Sequence, residues 1–169
     1  MTTLKFPTAS VPMVADTPVN AVAAALTTAL TGTNNDIVYT AKTKGDTGIT
    51  VAYVDPGATH TLSVAVVEKA ITVTLGYATG AITSTGDDVK AAIAANAAAN
   101  ALVSTADAAA NDGSGLVTAM AATPLTGGVD GTVAKAGEVR FDGGYLYVAS
   151  ADNTPSDANW RRVSLGSAY

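Results

Sequence analysis

Between residues 36 and 75 the chain repeats one arrangement four times, and that repetition leaves few folds open. Asp36-Ile37-Val38-Tyr39-Thr40-Ala41-Lys42 is rich in β-branched and aromatic residues. Ile49-Thr50-Val51-Ala52-Tyr53-Val54, Thr61-Leu62-Ser63-Val64-Ala65-Val66 and Ile71-Thr72-Val73-Thr74-Leu75 each alternate with period two. An extended strand places successive side chains on opposite faces, so each segment has one face to bury. Turn chemistry separates them. Gly45-Asp46-Thr47-Gly48 and Asp55-Pro56-Gly57 supply the glycine that takes positive φ and the proline that presets negative φ. Four such segments with short connections predict antiparallel strands in a meander or sandwich.

The side chains available to fill that core are small. Alanine is about a fifth of the 169 residues, and aromatic residues are only 5% although hydrophobic residues reach 48%. Charged residues are 14%, against about 25% in an average domain. This is the opposite of the composition that keeps chains disordered. Methyl-rich faces make shallow cores and flat surfaces, which commonly complete their burial against copies of the same chain or a larger partner. The length suits one domain with appended arms and needs no disulfide or metal for stability.

The flanking segments read differently. Residues 1–19 contain Pro7, Pro12 and Pro18 and predict an extended arm. Residues 21–30 (AVAAALTTAL) predict a short helix. A main helix is expected over residues 86–99. Thr85 is placed to cap it, Asp87 and Asp88 fall in its first turn, and Asn100 can end it. Residues 101–105 and 116–120 read as further strands, and Gly127-Gly128-Val129-Asp130-Gly131-Thr132 as the closing loop. In the tail, residues 138–141 and 145–148 flank Asp142-Gly143-Gly144 as a tight hairpin, and residues 160–165 form a last strand. The reading is therefore an α+β fold, predominantly antiparallel β and sandwich-like. Residues 1–33 are the arm and short helix, 34–132 the core domain, and 133–169 a small C-terminal β module.

Charge and residue inventory narrow the function. The net charge is −5, with a pI near 4.5, so the basic footprint of a nucleic-acid binder is missing. No apolar run approaches the roughly 18 residues of a spanning helix, and neither a membrane segment nor a signal peptide is expected. The reading is a soluble protein made in a cytoplasm. There is no cysteine, which removes thiolate metal sites and cysteine nucleophiles. His60 is the only histidine and lies in a turn, with no nucleophile elbow to accompany it. Asn111, Asp112 and Ser114, or Asp130 among glycines, offer oxygens to a calcium ion. They miss the EF-hand spacing and match ordinary turn chemistry. The loop at 127–131 lacks the lysine and the strand–helix context of a phosphate loop. Glu68 and Glu138 are the only glutamates, and they do not make a hydrolase pair. No catalytic, cofactor-binding or metal residue is expected, and no enzyme activity.

Several segments carry a resemblance. Asn35-Asp36-Ile37-Val38-Tyr39-Thr40-Ala41-Lys42-Thr43 with Val51-Ala52-Tyr53-Val54-Asp55-Pro56-Gly57 resembles a domain recurring in tailed-bacteriophage virion proteins. So do Gly80-Ala81-Ile82-Thr83-Ser84-Thr85 before Val89-Lys90-Ala91-Ala92-Ile93, residues 111–118, and residues 125–132. The tail, with Tyr145-Leu146-Tyr147-Val148 and Asn159-Trp160-Arg161-Arg162-Val163, is similar to the C-terminal ends of phage head and tail structural proteins. These segments span about three-quarters of the chain. The resemblance implies a non-catalytic virion component without a cofactor, present in many copies and assembled in the host bacterial cytoplasm. A capsid decoration (cement or head-fibre) protein binding the major capsid protein fits best, and a tail tube, fibre or baseplate subunit is the alternative. Decoration proteins are often homotrimers, which sets the expected self-association.

Two groups of residues are the candidate partner contacts. Leu4, Phe6, Val11, Met13 and Val14 are apolar but follow no helical or alternating pattern that would bury them in their own domain. Tyr145, Tyr147, Trp160, Arg161 and Arg162 concentrate large side chains at one end of an aromatic-poor chain. A three-stranded sheet that uses those rings for its own core is the simpler alternative.

Overall fold

The computed structural model describes residues 18–142, 144–156 and 159–166. It is α+β with mostly antiparallel strands in several sheets. One sheet has the order β1 (Ala23–Thr27), β2 (Ile37–Lys44), β8 (Val103–Asp107). A second has the order β4 (Ser63–Val67), β5 (Ala70–Thr74), β3 (Thr50–Val54), β9 (Met120–Pro124). A two-stranded ribbon joins β6 (Tyr77–Ala78) to β7 (Ala81–Ile82). The helices are α1 (Gly86–Ala95) and α2 (Ala97–Leu102). The tail is a separate sheet of β10 (Val139–Asp142), β11 (Tyr145–Ala149) and β12 (Trp160–Ser164).

The four alternating segments are all strands, but they do not form a meander. β2 belongs to the first sheet and the other three to the second. Within the second sheet β3 and β5 run parallel, with Val51 opposite Ile71 and Tyr53 opposite Val73. The hairpin partner β4 is displaced to the edge. The inward faces are those the alternation requires. Ile37, Tyr39 and Ala41 from one sheet meet Ile49, Val51, Tyr53, Ile71, Val73 and Leu75 in one buried cluster. Val89, Ile93 and Ala99 of the helices close it.

The two sheets connect along one side. Beyond β9, Thr126 exchanges backbone hydrogen bonds with Ala25 of β1, both 2.8 Å, and Val129 does so with Val22. On the other side the edges of β4 and β8 are faced by the helices. Asn96 Nδ2 donates to the Val64 carbonyl at 2.9 Å, and Lys90 of α1 pairs with Asp107 of β8.

Three local expectations are corrected. Residues 21–30 hold strand β1, not a short helix. Alanine's helix preference is small, and a ladder to β2 with Ala24 fully buried outweighs it. The helix expected over 86–99 is two helices broken at Asn96. Thr85 and Asp88 form the capping box that starts α1. Asn96 then leaves helical geometry (φ −82°, ψ 109°) and caps α2 by accepting from Ala99 N at 3.0 Å. The strand expected at 116–120 begins only at Met120, while Val117 N bonds the Ser84 carbonyl at 3.0 Å beside the helix cap.

The glycine-rich loops are explained by close packing. A Cβ on Gly115 would land on the Thr33 carbonyl, and one on Gly128 would land on the Gly45 carbonyl.

Candidate functional site

The C-terminal sheet is the most distinctive surface among the described residues. Its register is unbroken: Arg140 lies opposite Tyr147, which lies opposite Arg162, and Ala149 lies opposite Trp160. Opposed residues project to the same side. One face therefore carries Arg140, Tyr145, Tyr147, Trp160 and Arg162. The other carries Val139, Phe141, Leu146, Val148, Arg161 and Val163. Of the sequence candidates, the fold brings Tyr145, Tyr147, Trp160 and Arg162 together and sends Arg161 to the opposite side. The arm candidates Leu4, Phe6, Val11, Met13 and Val14 lie outside the described residues.

On the aromatic face, each ring is held by neighbours. Trp160 Nε1 donates to the Thr132 carbonyl at 3.3 Å, and the Arg140 guanidinium lies 5.4 Å from its ring centre. Arg140 is itself positioned by Glu138, with Nη2 to Oε1 at 3.0 Å. The Tyr145 and Tyr147 rings are 6.4 Å apart and tilted by 56°. The Arg162 guanidinium stacks 4.7 Å above Tyr145. Cation–π contacts of this kind contribute about 0.5–1 kcal/mol when exposed and, more usefully here, fix the rings in place.

The start of the described chain crosses this face. Val19 N donates to Thr132 Oγ1 at 2.8 Å, and Thr132 N returns a bond to the Val19 carbonyl at 2.9 Å. Pro18 and Asn20 then form a wall against Tyr147, Trp160 and Arg162, enclosing a groove of about 370 Å³. The rings stood out in the sequence because they are rare. Pro18 read only as part of the extended arm and Asn20 gave no signal, because only tertiary folding brings residue 20 to residue 160.

The opposite face is apolar apart from Arg161. Val139, Val163 and neighbouring Leu165 are about half exposed, and Phe141, Leu146 and Val148 are partly buried.

The remaining sequence candidates have structural employment. His60 Nε2 lies 3.2 Å from Ser63 Oγ in a shallow cleft that Asp88 also lines. Asp88 Oδ2 is bound to Thr85 N at 2.9 Å, so the carboxylate serves the helix cap and not the imidazole. Asp112 Oδ1 accepts from Ser114 N at 3.0 Å and Ser114 Oγ at 2.6 Å, which holds its carboxyl below the usual aspartate range. Asn111 Oδ1 accepts from Asp36 N, and Asp130 Oδ1 from Asp46 N, each at 3.1 Å. Three or more His, Cys, Asp or Glu side chains gathered for a metal are absent among the described residues. No described helix is long and apolar enough to cross a membrane.

One core pair escaped sequence reading altogether. The Tyr39 and Tyr53 hydroxyls meet at 2.6 Å, fully buried between the two sheets. Burial pushes both hydroxyls well above the ordinary tyrosine value. No protein-family model, curated protein or solved structure matches this chain.

Proposed function

We propose that the chain is a structural component of a tailed-bacteriophage particle, most simply a capsid decoration protein bound in many copies to the outside of the shell. The observation that carries the reading is the resemblance of residues 35–43, 51–57, 80–85, 89–93, 111–118, 125–132 and 137–165 to phage virion proteins. The open apolar face of the C-terminal sheet supports it. A flat, β-branched face bearing Val139, Val148 and Val163 suits burial against another protein. Its occupant in this reading is a neighbouring copy, and the trimer that the resemblance implies requires this face to meet a different surface of that neighbour, because like-on-like pairing closes as a dimer. The arm, with Leu4, Phe6, Val11, Met13 and Val14, contacts the shell, and the aromatic face of the module points outward. The protein acts by binding and not by catalysis.

The test is immunogold labelling of purified particles with antibody to this chain. Label on heads is the expected result, and particles bearing no label overturn the reading. Label on tails replaces it with the tail-component alternative. Deleting the arm, residues 1–19, is expected to leave a folded, soluble protein that no longer binds particles.

A further inference from the structure

We propose that the groove between Pro18–Asn20 and the aromatic face of the C-terminal sheet binds a saccharide bearing a carboxylate. The inference stands on the groove alone and does not depend on a phage origin. Its volume of about 370 Å³ lies in the range of small-ligand sites, about 300–1,000 Å³. Two features of its lining select a sugar. Tyr147 and Trp160 are partly exposed aromatic surfaces, which suit the C–H face of a pyranose ring. The Asn20 side-chain amide offers both a donor and an acceptor to a hydroxyl rim.

The site is pre-formed. The Trp160 indole is pinned by Thr132 and Arg140, and Tyr147 is flanked by Tyr145. Rings already held in place lose little freedom when a ligand arrives.

Arg162 supplies the preference for an anion. It is exposed, its guanidinium stacks on Tyr145, and no carboxylate pairs with it among the described residues. Stacking on a ring leaves the in-plane N–H groups available, which is the geometry of bidentate carboxylate recognition. A cation held this way in a chain of net charge −5 is a local exception to the surrounding field.

Trp160 is the only tryptophan, so intrinsic fluorescence of the full chain reads this groove directly. The probes are galacturonate trimer, glucuronate and N-acetylneuraminate, against neutral maltotriose and inorganic phosphate. The expected result is a saturable change with at least one acidic sugar, with affinity at least about tenfold above maltotriose and above phosphate. Arg162→Gln is expected to weaken that binding about tenfold or more. Arg161→Gln, one residue away but on the opposite face, is expected to leave it unchanged. Circular dichroism confirms that each variant is folded, and ligand-observed NMR with the Arg162→Gln protein supplies a second readout. The proposal is overturned if no acidic sugar binds at millimolar concentration. Equal weakening by the two arginine variants also overturns it, since that reports diffuse charge. Phosphate binding as tightly as the sugars overturns it as well, since that reports a simple anion site.

Discussion

Tyr39 and Tyr53 are almost completely hidden and bond to each other at 2.6 Å, while Tyr145 and Tyr147 sit on an open sheet with their rings 6.4 Å apart. Both pairs come from alternating strand sequences of similar composition. The difference is the second layer. β2 and β3 face one another across a core that α1 and α2 close, so an inward ring there has protein on every side. β11 belongs to a single sheet, attached to the core by a few polar contacts: Gly131 N to the Pro155 carbonyl, Ser156 Oγ to the Lys44 carbonyl, and Trp160 to Thr132. Its aromatic face is crossed only by Pro18–Asn20 among the described residues, and Val139 and Val163 on the other face stay about half exposed. The core domain spends its few aromatics on stability and the module spends them on a surface.

Truncation of a core residue should give the largest effect and the sharpest separation of the two regions. Ile93→Ala removes a fully buried side chain at the helix–sheet junction and is expected to cost about 2–5 kcal/mol. Denaturant unfolding followed by far-UV circular dichroism measures it. Trp160 fluorescence, which reports the module, is expected to shift less than the circular dichroism midpoint. Coincident shifts would show that the two regions unfold as one unit.

Next in size is the buried hydroxyl pair. Tyr53→Phe leaves the Tyr39 hydroxyl without its partner and is expected to cost about 1–3 kcal/mol. Adding Tyr39→Phe should cost less than the sum of the single changes, because both polar groups are then gone. The pair also sets an alkaline limit. Both hydroxyl pKa values are raised in the fold, so the protonated form is favoured there. Below the ordinary tyrosine value near 10 both states are protonated and the contribution is complete. As pH rises past that value the unfolded chain ionises first and stability falls. Lys90, raised by its hydrogen bonds to Asp107 and then Asp87, acts in the same direction above its ordinary 10.5. Thermal unfolding between pH 8 and pH 11.5 is expected to show a falling midpoint from about pH 10, with a shallower fall in the double phenylalanine variant.

The smallest stability effect is expected in the module. Val163→Ser changes a side chain 57% exposed on the apolar face, and monomer stability should move by less than about 0.5 kcal/mol. Self-association, measured by sedimentation velocity, should weaken. A larger loss of stability with unchanged association would mean that the face is covered by the chain itself.

Much of the core was legible from residue 36 onward. Alternation gave the segments 49–54 and 71–75 one apolar face each, and Ile49, Val51, Tyr53, Ile71 and Val73 on those faces are buried. Turn residues placed the connections, and Thr85 with Asp88 announced the start of α1. The tail hairpin and last strand fell where the sequence put them. These features are local: period, φ preference and capping act within a few residues. Three others are not. Alternation says which way a side chain points but not which strand lies beside it, so the parallel β3–β5 pairing was invisible. Propensity suggested helix for residues 21–30, and pairing with β2 made them β1. The candidate surface was half legible. Its rings are rare enough to notice, and alternation already separates Arg161 from Arg162, but that Arg162 is the one beside Tyr147 needed the register of β11 against β12. The wall made by Pro18 and Asn20 needed the bonds between Val19 and Thr132, which are 113 residues apart. Sequence alone determined the facing of each strand, because one residue's geometry fixes it. Tertiary structure decided pairing, layering and the groove, because those depend on which surfaces compete for the same partner once the whole chain has collapsed.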